Sequence, residues 1–251
     1  MVLKTLVSGY AGSGKSYFAL THPKVAWLLT EPGSEVLLDT HPQLAKNVVW
    51  WESFIPSPDE DIKKVFERLE LATTKAHTDL KEGKIETLVL DNATMLAENR
   101  WVYISQYEKM LSRSGEVDTR SMYGTLGRWL YLFTLKNLLS FKGNMVLTCH
   151  EQMEEELNEK GLSVKTGNVT PGILGGFRDK VEGMFSASIY LDKKNVGQGV
   201  YKYMARCQKG SGRNAKNRYG LPEWVENVSY AEIIKQIEAN KRKAVPVSQA
   251  V

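Results

Sequence analysis

The run Gly9-Tyr10-Ala11-Gly12-Ser13-Gly14-Lys15-Ser16 fits the pattern G-x-x-x-x-G-K-[ST] at every fixed position. Such a run is suited to phosphate. Glycines permit a tight loop whose backbone N–H groups turn inward on anionic oxygens, and the positive end of a following helix strengthens that field. Lys15 would reach the β and γ phosphates of a nucleoside triphosphate, and the Ser16 hydroxyl would bind Mg2+. The expected cofactor contact therefore runs from Gly9 through Ser16 to Tyr17, with ATP and Mg2+ as the ligands. A chance glycine-rich turn is the competing explanation, disfavoured because the run follows a strand pattern and precedes a helical one.

A metal at that loop needs a carboxylate on the protein side, at the end of a buried strand. Leu88-Val89-Leu90-Asp91 supplies one, so Ser16 and Asp91 are the expected metal ligands. A hydrolase also needs a group to orient the attacking water, yet Asp91 is followed by Asn92 and not by a Glu. The base must then come from another strand end, where two glutamates stand: Glu31 after KVAWLLT and Glu151 after NMVLTCH. In a parallel sheet the carboxyl ends of the strands open on one side, so both can face the γ-phosphate. Glu31 is the first choice, with a solvated turn residue before Pro32-Gly33 as its bland alternative. Thr148 and His150 stand where a polar side chain could sense the γ-phosphate.

Between Arg206 and Arg218 the basic residues Arg206, Lys209, Arg213, Lys216 and Arg218 occur with no acidic one. Glycine and asparagine between them predict a mobile loop, able to place a cation on bound nucleotide, on a neighbouring subunit's nucleotide or on a nucleic-acid backbone. Two further segments, 97–123 and 152–179, follow strand ends on the nucleotide side. The first interleaves Arg100, Arg113 and Arg120 with Trp101, Tyr103, Tyr107 and Tyr123; the second carries Lys160, Lys165 and Arg178 among glycines. Bases stack on aromatic rings while cations follow phosphates, which suits single-stranded nucleic acid. The packed face of a helix would account for Trp101 and Ile104 as well, and Glu154-Glu155-Glu156 would repel DNA. The glycines predict that the second segment lacks order without a partner.

The elements that must hold these groups alternate in type. Leu3–Ser8, Lys24–Thr30, Val48–Trp51, Ile85–Asp91 and Asn144–Cys149 read as strands, several of them apolar on both faces. Ile62, Val65, Phe66, Leu69 and Ala72 recur at helical spacing, with Pro58 marking the helix start, and Leu126, Leu130, Phe133 and Leu138 mark another helix. Strands separated by helices need crossover connections, so the fold class is α/β: a mainly parallel twisted sheet with helices on both faces. Ser186–Leu191 and Val200–Cys207 read as a C-terminal β-hairpin at the sheet edge, turning near Lys193-Lys194-Asn195, and a last helix runs from Tyr230 to about Asn240. Residues 1–240 are expected to form one domain and 241–251 a flexible tail.

Composition agrees with a folded enzyme-sized domain. The 251 residues carry 33 Lys plus Arg against 29 Asp plus Glu, a net +4, with 42% hydrophobic and 25% charged residues, which excludes disorder, collagen and a disulfide scaffold. Cys149 and Cys207 have no ligand spacing, so no zinc site or disulfide framework is expected, and a reducing cytoplasm fits. No secretory signal is evident and no stretch approaches 18 apolar residues, so no membrane span is expected.

GYAGSGKS at Gly9, LLTEPG at Leu28, LVLDNAT at Leu88, MYGTLGRWL at Met122, MVLTCHE at Met145 and KNRYGLPEW at Lys216 together resemble a RecA-type P-loop ATPase core. More narrowly they are similar to phage AAA-type proteins of the Sak group, which anneal single strands. The resemblance spans most of the chain. It implies a RecA-like fold and a Mg-dependent ATPase, weak alone and stimulated by DNA, acting in recombination or annealing in the host cytoplasm. By the same resemblance Lys15 and Ser16 meet phosphate and Mg2+, Asp91 is the metal-side acid, Glu31 orients water, and His150 or Thr148 is the sensor. Lys216 and Arg218 would reach an adjacent subunit's nucleotide, with Lys209 and Arg213 competing for that role. A head-to-tail ring or filament follows, with single-stranded DNA and a single-strand-binding protein as partners. Two other readings stay open: a nucleotide-switched binding protein without significant turnover, and a small-molecule P-loop kinase.

Overall fold

Near-continuous apolar runs make strands where both faces of a sheet are covered. The computed structural model, which describes residues 1–108, 110–112, 114–158, 162–197 and 201–243, has that arrangement. In chain order it contains β1 (Lys4–Gly9), α1 (Lys15–Leu20), β2 (Val25–Leu29), α2 (Val36–Thr40), α3 (Pro42–Ala45), β3 (Val48–Ser53), α4 (Ile62–Lys81), β4 (Thr87–Asp91) and α5 (Ala93–Tyr103). There follow α6 (Thr119–Phe133), β5 (Asn144–Leu157), β6 (Ser163–Pro171), α7 (Arg178–Met184), β7 (Ala187–Asn195), β8 (Tyr201–Arg206), β9 (Lys216–Asn217), β10 (Trp224–Glu226) and α8 (Tyr230–Lys243). Both α5 and α6 run on in a π-helical turn, Ile104–Glu108 and Thr134–Leu139.

The parallel part of the sheet has the order β7-β1-β5-β4-β2-β3, and β8 and β10 extend it antiparallel beyond β7. Successive residues of a strand point to opposite faces, and the two cores divide accordingly. Ala26, Leu28, Leu88, Leu90, Met145 and Leu147 meet Val65, Phe66, Leu96, Leu126 and Leu130 from α4, α5 and α6. On the other face Val25, Trp27, Leu29, Val89 and Val146 meet Phe18 and Ala19 of α1 and Ile233 and Ile237 of α8. This is the α/β fold with a mainly parallel sheet and helices on both faces. Because β5 lies between β1 and β4, the ends of β1, β5, β4 and β2 sit side by side.

Four details differ from the sequence reading. Asp61, not Pro58, starts α4: its carboxylate accepts from the Lys63 N–H at 2.8 Å, satisfying an amide that has no partner within the helix. Lys193-Lys194-Asn195 is strand and not turn, since β7 pairs with β8 as far as Asn195 opposite Tyr201, and β10 lies outside that hairpin. The 152–179 segment is largely an ordered hairpin of β5 and β6, in which Thr166 Oγ1 and Asn168 Nδ2 donate to Glu154 at 3.1 and 2.9 Å. The basic stretch is tethered: Arg206 pairs with Glu223 at 3.0 Å, Arg213 with Glu151 at 3.0 Å, and Lys216 lies in β9.

In the 97–123 segment the helix-face explanation holds for Trp101, whose ring lies 4.4 Å from that of Tyr123, and for fully buried Ile104. Arg113, Lys160, Gly161, Val200 and the tail from residue 244 onward lie outside the described residues. Among the described residues no helix is long and apolar enough to cross a membrane.

Candidate active site

The phosphate loop leaves β1 at Gly9 and enters α1 at Lys15. Two of its glycines are dictated by geometry. Gly14 caps α1 at φ +93°, and a Cβ there would lie 2.7 Å from the Tyr203 ring; a Cβ on Gly9 would lie 2.8 Å from the Leu191 carbonyl oxygen. Lys15 is buried, and its Nζ donates to the Gly9 and Tyr10 carbonyls at 3.0 and 2.9 Å. Burial lowers the Lys15 pKa from its usual value, against the pull of Glu31 and Asp91. The loop thus folds the ammonium back on its own backbone, where a phosphate oxygen would exchange with the carbonyls.

Asp91 closes β4 and is fully buried. Thr148 Oγ1, from β5, donates to its Oδ1, while its Oδ2 is buried with no hydrogen-bond partner among the described residues. Burial raises the Asp91 pKa, and the hydroxyls of Thr148 and Ser16 pull it back toward the charged form. A buried carboxylate oxygen lacking a donor, beside a serine hydroxyl, fits a hard divalent cation. Among the described residues no three His, Cys, Asp or Glu side chains gather into a metal cage.

Glu31 follows β2 by two residues and lines the same cavity, about 300 Å³, as Lys15 and Ser16. Its Oε1 lies 3.0 Å from His150 Nε2, and its Oε2 accepts from Asn92 Nδ2. Burial pushes the Glu31 carboxyl up, but the hydrogen bond and charge of His150, helped by Lys15 and Asn92, hold it below its usual value. His150 meets these groups with both ring nitrogens: Nδ1 lies 3.4 Å from Lys15 Nζ, and Nε2 lies 3.0 Å from Glu31 Oε1 and 3.3 Å from Asn92 Nδ2.

Asn92 holds this arrangement from below. Its Oδ1 caps α5 by accepting from the Met95 N–H at 2.9 Å, which leaves Nδ2 to aim at Glu31. Thr30 Oγ1 accepts from the Asn92 N–H at 2.7 Å and donates to the Asn92 carbonyl at 2.6 Å, flanking a cis Asp91-Asn92 peptide. So the residue that replaces an expected Glu after Asp91 positions the Glu offered by the neighbouring strand.

The structure therefore brings together Gly9 to Tyr17, Glu31, Asp91, Thr148 and His150. Glu151, the second candidate base, is instead clamped by Arg213, whose Nε and Nη2 donate at 3.3 and 3.0 Å. Lys216 Nζ donates to the Gly183 carbonyl at 3.1 Å, and Arg218 is exposed; neither lines this chain's own cavity. Sequence reasoning missed Ser34, 3.3 Å from Ser16 Oγ, and His41 and Tyr203, which wall the cavity. Tyr201, Tyr203 and Ala205 alternate along β8, a signal that Tyr201 and Tyr203 share one face.

A family model described as an AAA domain matches residues 1–219. Among curated proteins no significant match is found. Similar solved structures include a KaiC-like protein from the hyperthermophilic archaeon Pyrococcus horikoshii, at 14% identity and a TM-score of 0.40, covering 82% of this chain and 78% of that one. Another is a prototypical ATPase from the type III secretion system of pathogenic bacteria, at 18% identity and a TM-score of 0.46; the match covers 75% of this chain and 51% of that one.

Proposed function

This chain belongs to the AAA domain family of P-loop ATPases, and from that premise we propose that it hydrolyses ATP with Mg2+ and acts on single-stranded DNA, as a phage recombination or annealing protein. The observation that carries the ATPase reading is the convergence of Lys15 and Ser16 after β1, Asp91 at the end of β4 and Glu31 after β2 on one edge of the sheet. The loop amides and Lys15 would bind the triphosphate, and Ser16 with Asp91 would hold the cation. Mg2+ bound there supplies charge neutralisation on the phosphate oxygens. Glu31, kept ionised by His150 and Asn92, would accept a hydrogen bond from the attacking water and so point its lone pair at the γ-phosphorus.

Lys216 and Arg218 lie outside this chain's own cavity, so a part in the same reaction would be played on a neighbouring subunit. A head-to-tail assembly, in which one face meets a different face of the next copy, would allow it. The DNA part of the reading is supported by a groove of about 370 Å³ lined by Tyr123, Gly127, Arg128, Tyr131, Phe177 and Lys180. Tyr123 and Tyr131 are 43% and 40% exposed, and Arg128 and Lys180 are exposed beside them, a combination of stacking faces and cations that suits single strands. Fluorescence anisotropy with a labelled oligo-dT across a salt series tests it: affinity should fall with salt and drop in Arg128→Glu. Affinity unchanged by that charge reversal removes the groove from the reading.

One observation favours a second reading. Glu31 is already engaged at both oxygens, by His150 and by Asn92. If that engagement persists with nucleotide bound, ATP orders a binding surface and turnover is incidental; Glu31→Gln would then leave partner binding intact.

A further inference from the structure

A triphosphate carries a nucleoside, and the cavity beside Lys15 is small for all of it. At about 300 Å³ it lies at the bottom of the range of roughly 300–1,000 Å³ common for small-molecule sites. A second cavity of about 350 Å³ adjoins it, lined by Tyr17, Thr21, Tyr201, Tyr203, Asn227 and Ser229 among others. Tyr17, His41 and Tyr203 line both, so the two spaces share one aromatic wall. In that wall the Tyr17 and Tyr203 rings lie 6.1 Å apart and nearly parallel, at 11°, and His41 stands edge-on to Tyr17 at 5.3 Å.

The chemistry changes across the wall. On the loop side are Lys15, Ser16 and the backbone of Gly12 and Gly14; on the far side are tyrosine faces and the exposed Asn227, held at φ 48°. Lys193 bridges the two, with Nζ 4.9 Å above the Tyr201 ring and 3.6 Å from where a Cβ on Gly12 would stand. The Thr21 hydroxyl is committed, donating to the Phe18 carbonyl and accepting from the Tyr230 N–H, and Ser229 Oγ accepts from the Glu232 N–H. That leaves stacking as the main attraction on offer.

The geometry points to one continuous nucleoside triphosphate site, in which Tyr17 and Tyr203 form a stacking platform for the nucleobase and β8 supplies it from the hairpin at the far end of the sheet. Lys193 lies where it can follow the phosphates nearest the sugar. Stacking recognises any base face, so the platform selects nucleotides over inorganic polyphosphate more than it selects among bases. This inference rests on the reading of Gly9 to Ser16 as a triphosphate loop.

Titration of the full chain with Mg-ATP and, separately, with inorganic tripolyphosphate tests it, using displacement of a fluorescent ATP analogue. Tyr203→Ala and Tyr17→Ala should weaken ATP roughly tenfold or more while leaving tripolyphosphate affinity as in the wild type, and Tyr203→Phe, which keeps the ring, should bind both normally. ATP affinity unchanged in both alanine variants, or an equal loss of ATP and tripolyphosphate in both, overturns the platform. Lys15→Ala separates the two readings: it should lose both ligands, and if it keeps both the phosphate-loop reading fails, whatever Tyr203 does.

Discussion

His150 Nε2 lies 3.0 Å from Glu31 Oε1, so a residue of β5 fixes the carboxylate that follows β2, two strands away across β4. Asn92, following β4, fills the gap by donating to the other oxygen of Glu31. Three adjacent strands thus each contribute one side chain to a single hydrogen-bonded cluster beside Lys15. In the proposed hydrolysis Glu31 is the group that would orient water, with His150 and Asn92 setting how available it is.

Removing His150 therefore has a directional consequence. The histidine is the largest influence holding the Glu31 pKa below its usual value, so His150→Ala should let that pKa rise. Turnover that needs ionised Glu31 would then begin to fail at a higher pH as the solution is acidified. Comparing the acid limbs of the two pH–rate profiles checks this, and coincident limbs would remove Glu31 ionisation from the rate.

Asp91→Asn should trade function for stability. The wild-type carboxylate is fully buried with Oδ2 lacking a donor, an arrangement that costs free energy until a cation arrives. An amide carries no charge and can still accept from Thr148. The variant should melt higher than wild type without nucleotide or metal, by roughly 2–4 °C for each kcal/mol recovered, while losing Mg-dependent nucleotide binding. A lower melting temperature would contradict this account of Asp91.

Most of the fold was legible because its signals are local. A parallel sheet writes its strands as apolar runs, and β1, β2, β4 and the sheet portion of β5 were read from Leu3, Lys24, Ile85 and Asn144 onward. The phosphate loop was equally plain, since both its amide cradle and its lysine lie within eight residues. What the sequence hid is long-range. The bond between Glu31 and His150 spans 119 positions, and Tyr203 reaches Gly14 only because β7 pairs with β1 and β8 with β7. The β5 and β6 hairpin was misread because its acidic triplet and glycines look unstructured until Thr166 and Asn168 are seen bonding Glu154.

Acid should weaken the fold through His22. It is fully buried between Phe18 and Tyr230, its Nε2 has no partner among the described residues, and burial pulls its pKa down to about 4. The unfolded chain, with an ordinary histidine pKa near 6.5, takes up the proton first, so stability is lost as pH falls from about 6.5 toward 4. The loss over that window should be on the order of 3 kcal/mol, at 1.36 kcal/mol per pKa unit. Urea unfolding of wild type and His22→Phe at pH 7 and pH 4.5 checks it: the variant should lose less stability between the two. An equal loss would clear His22.

Gly14→Ala should damage the loop from two directions, through a methyl group at φ +93° and through its approach to Tyr203. The left-handed backbone alone costs roughly 1–2 kcal/mol for a residue with a Cβ. Calorimetric titration should show nucleotide affinity reduced at least tenfold. Normal affinity would mean that the loop rearranges when it binds.

The most direct measurement is phosphate release from ATP by the wild type and by Glu31→Gln, each with Mg2+, with and without single-stranded DNA. The account predicts slow Mg-dependent release that DNA accelerates, and a Glu31→Gln protein that still binds ATP but turns it over roughly a hundredfold more slowly, in line with the loss of a positioned base. Equal rates in the two proteins, or no release from the wild type under any of these conditions, would contradict it.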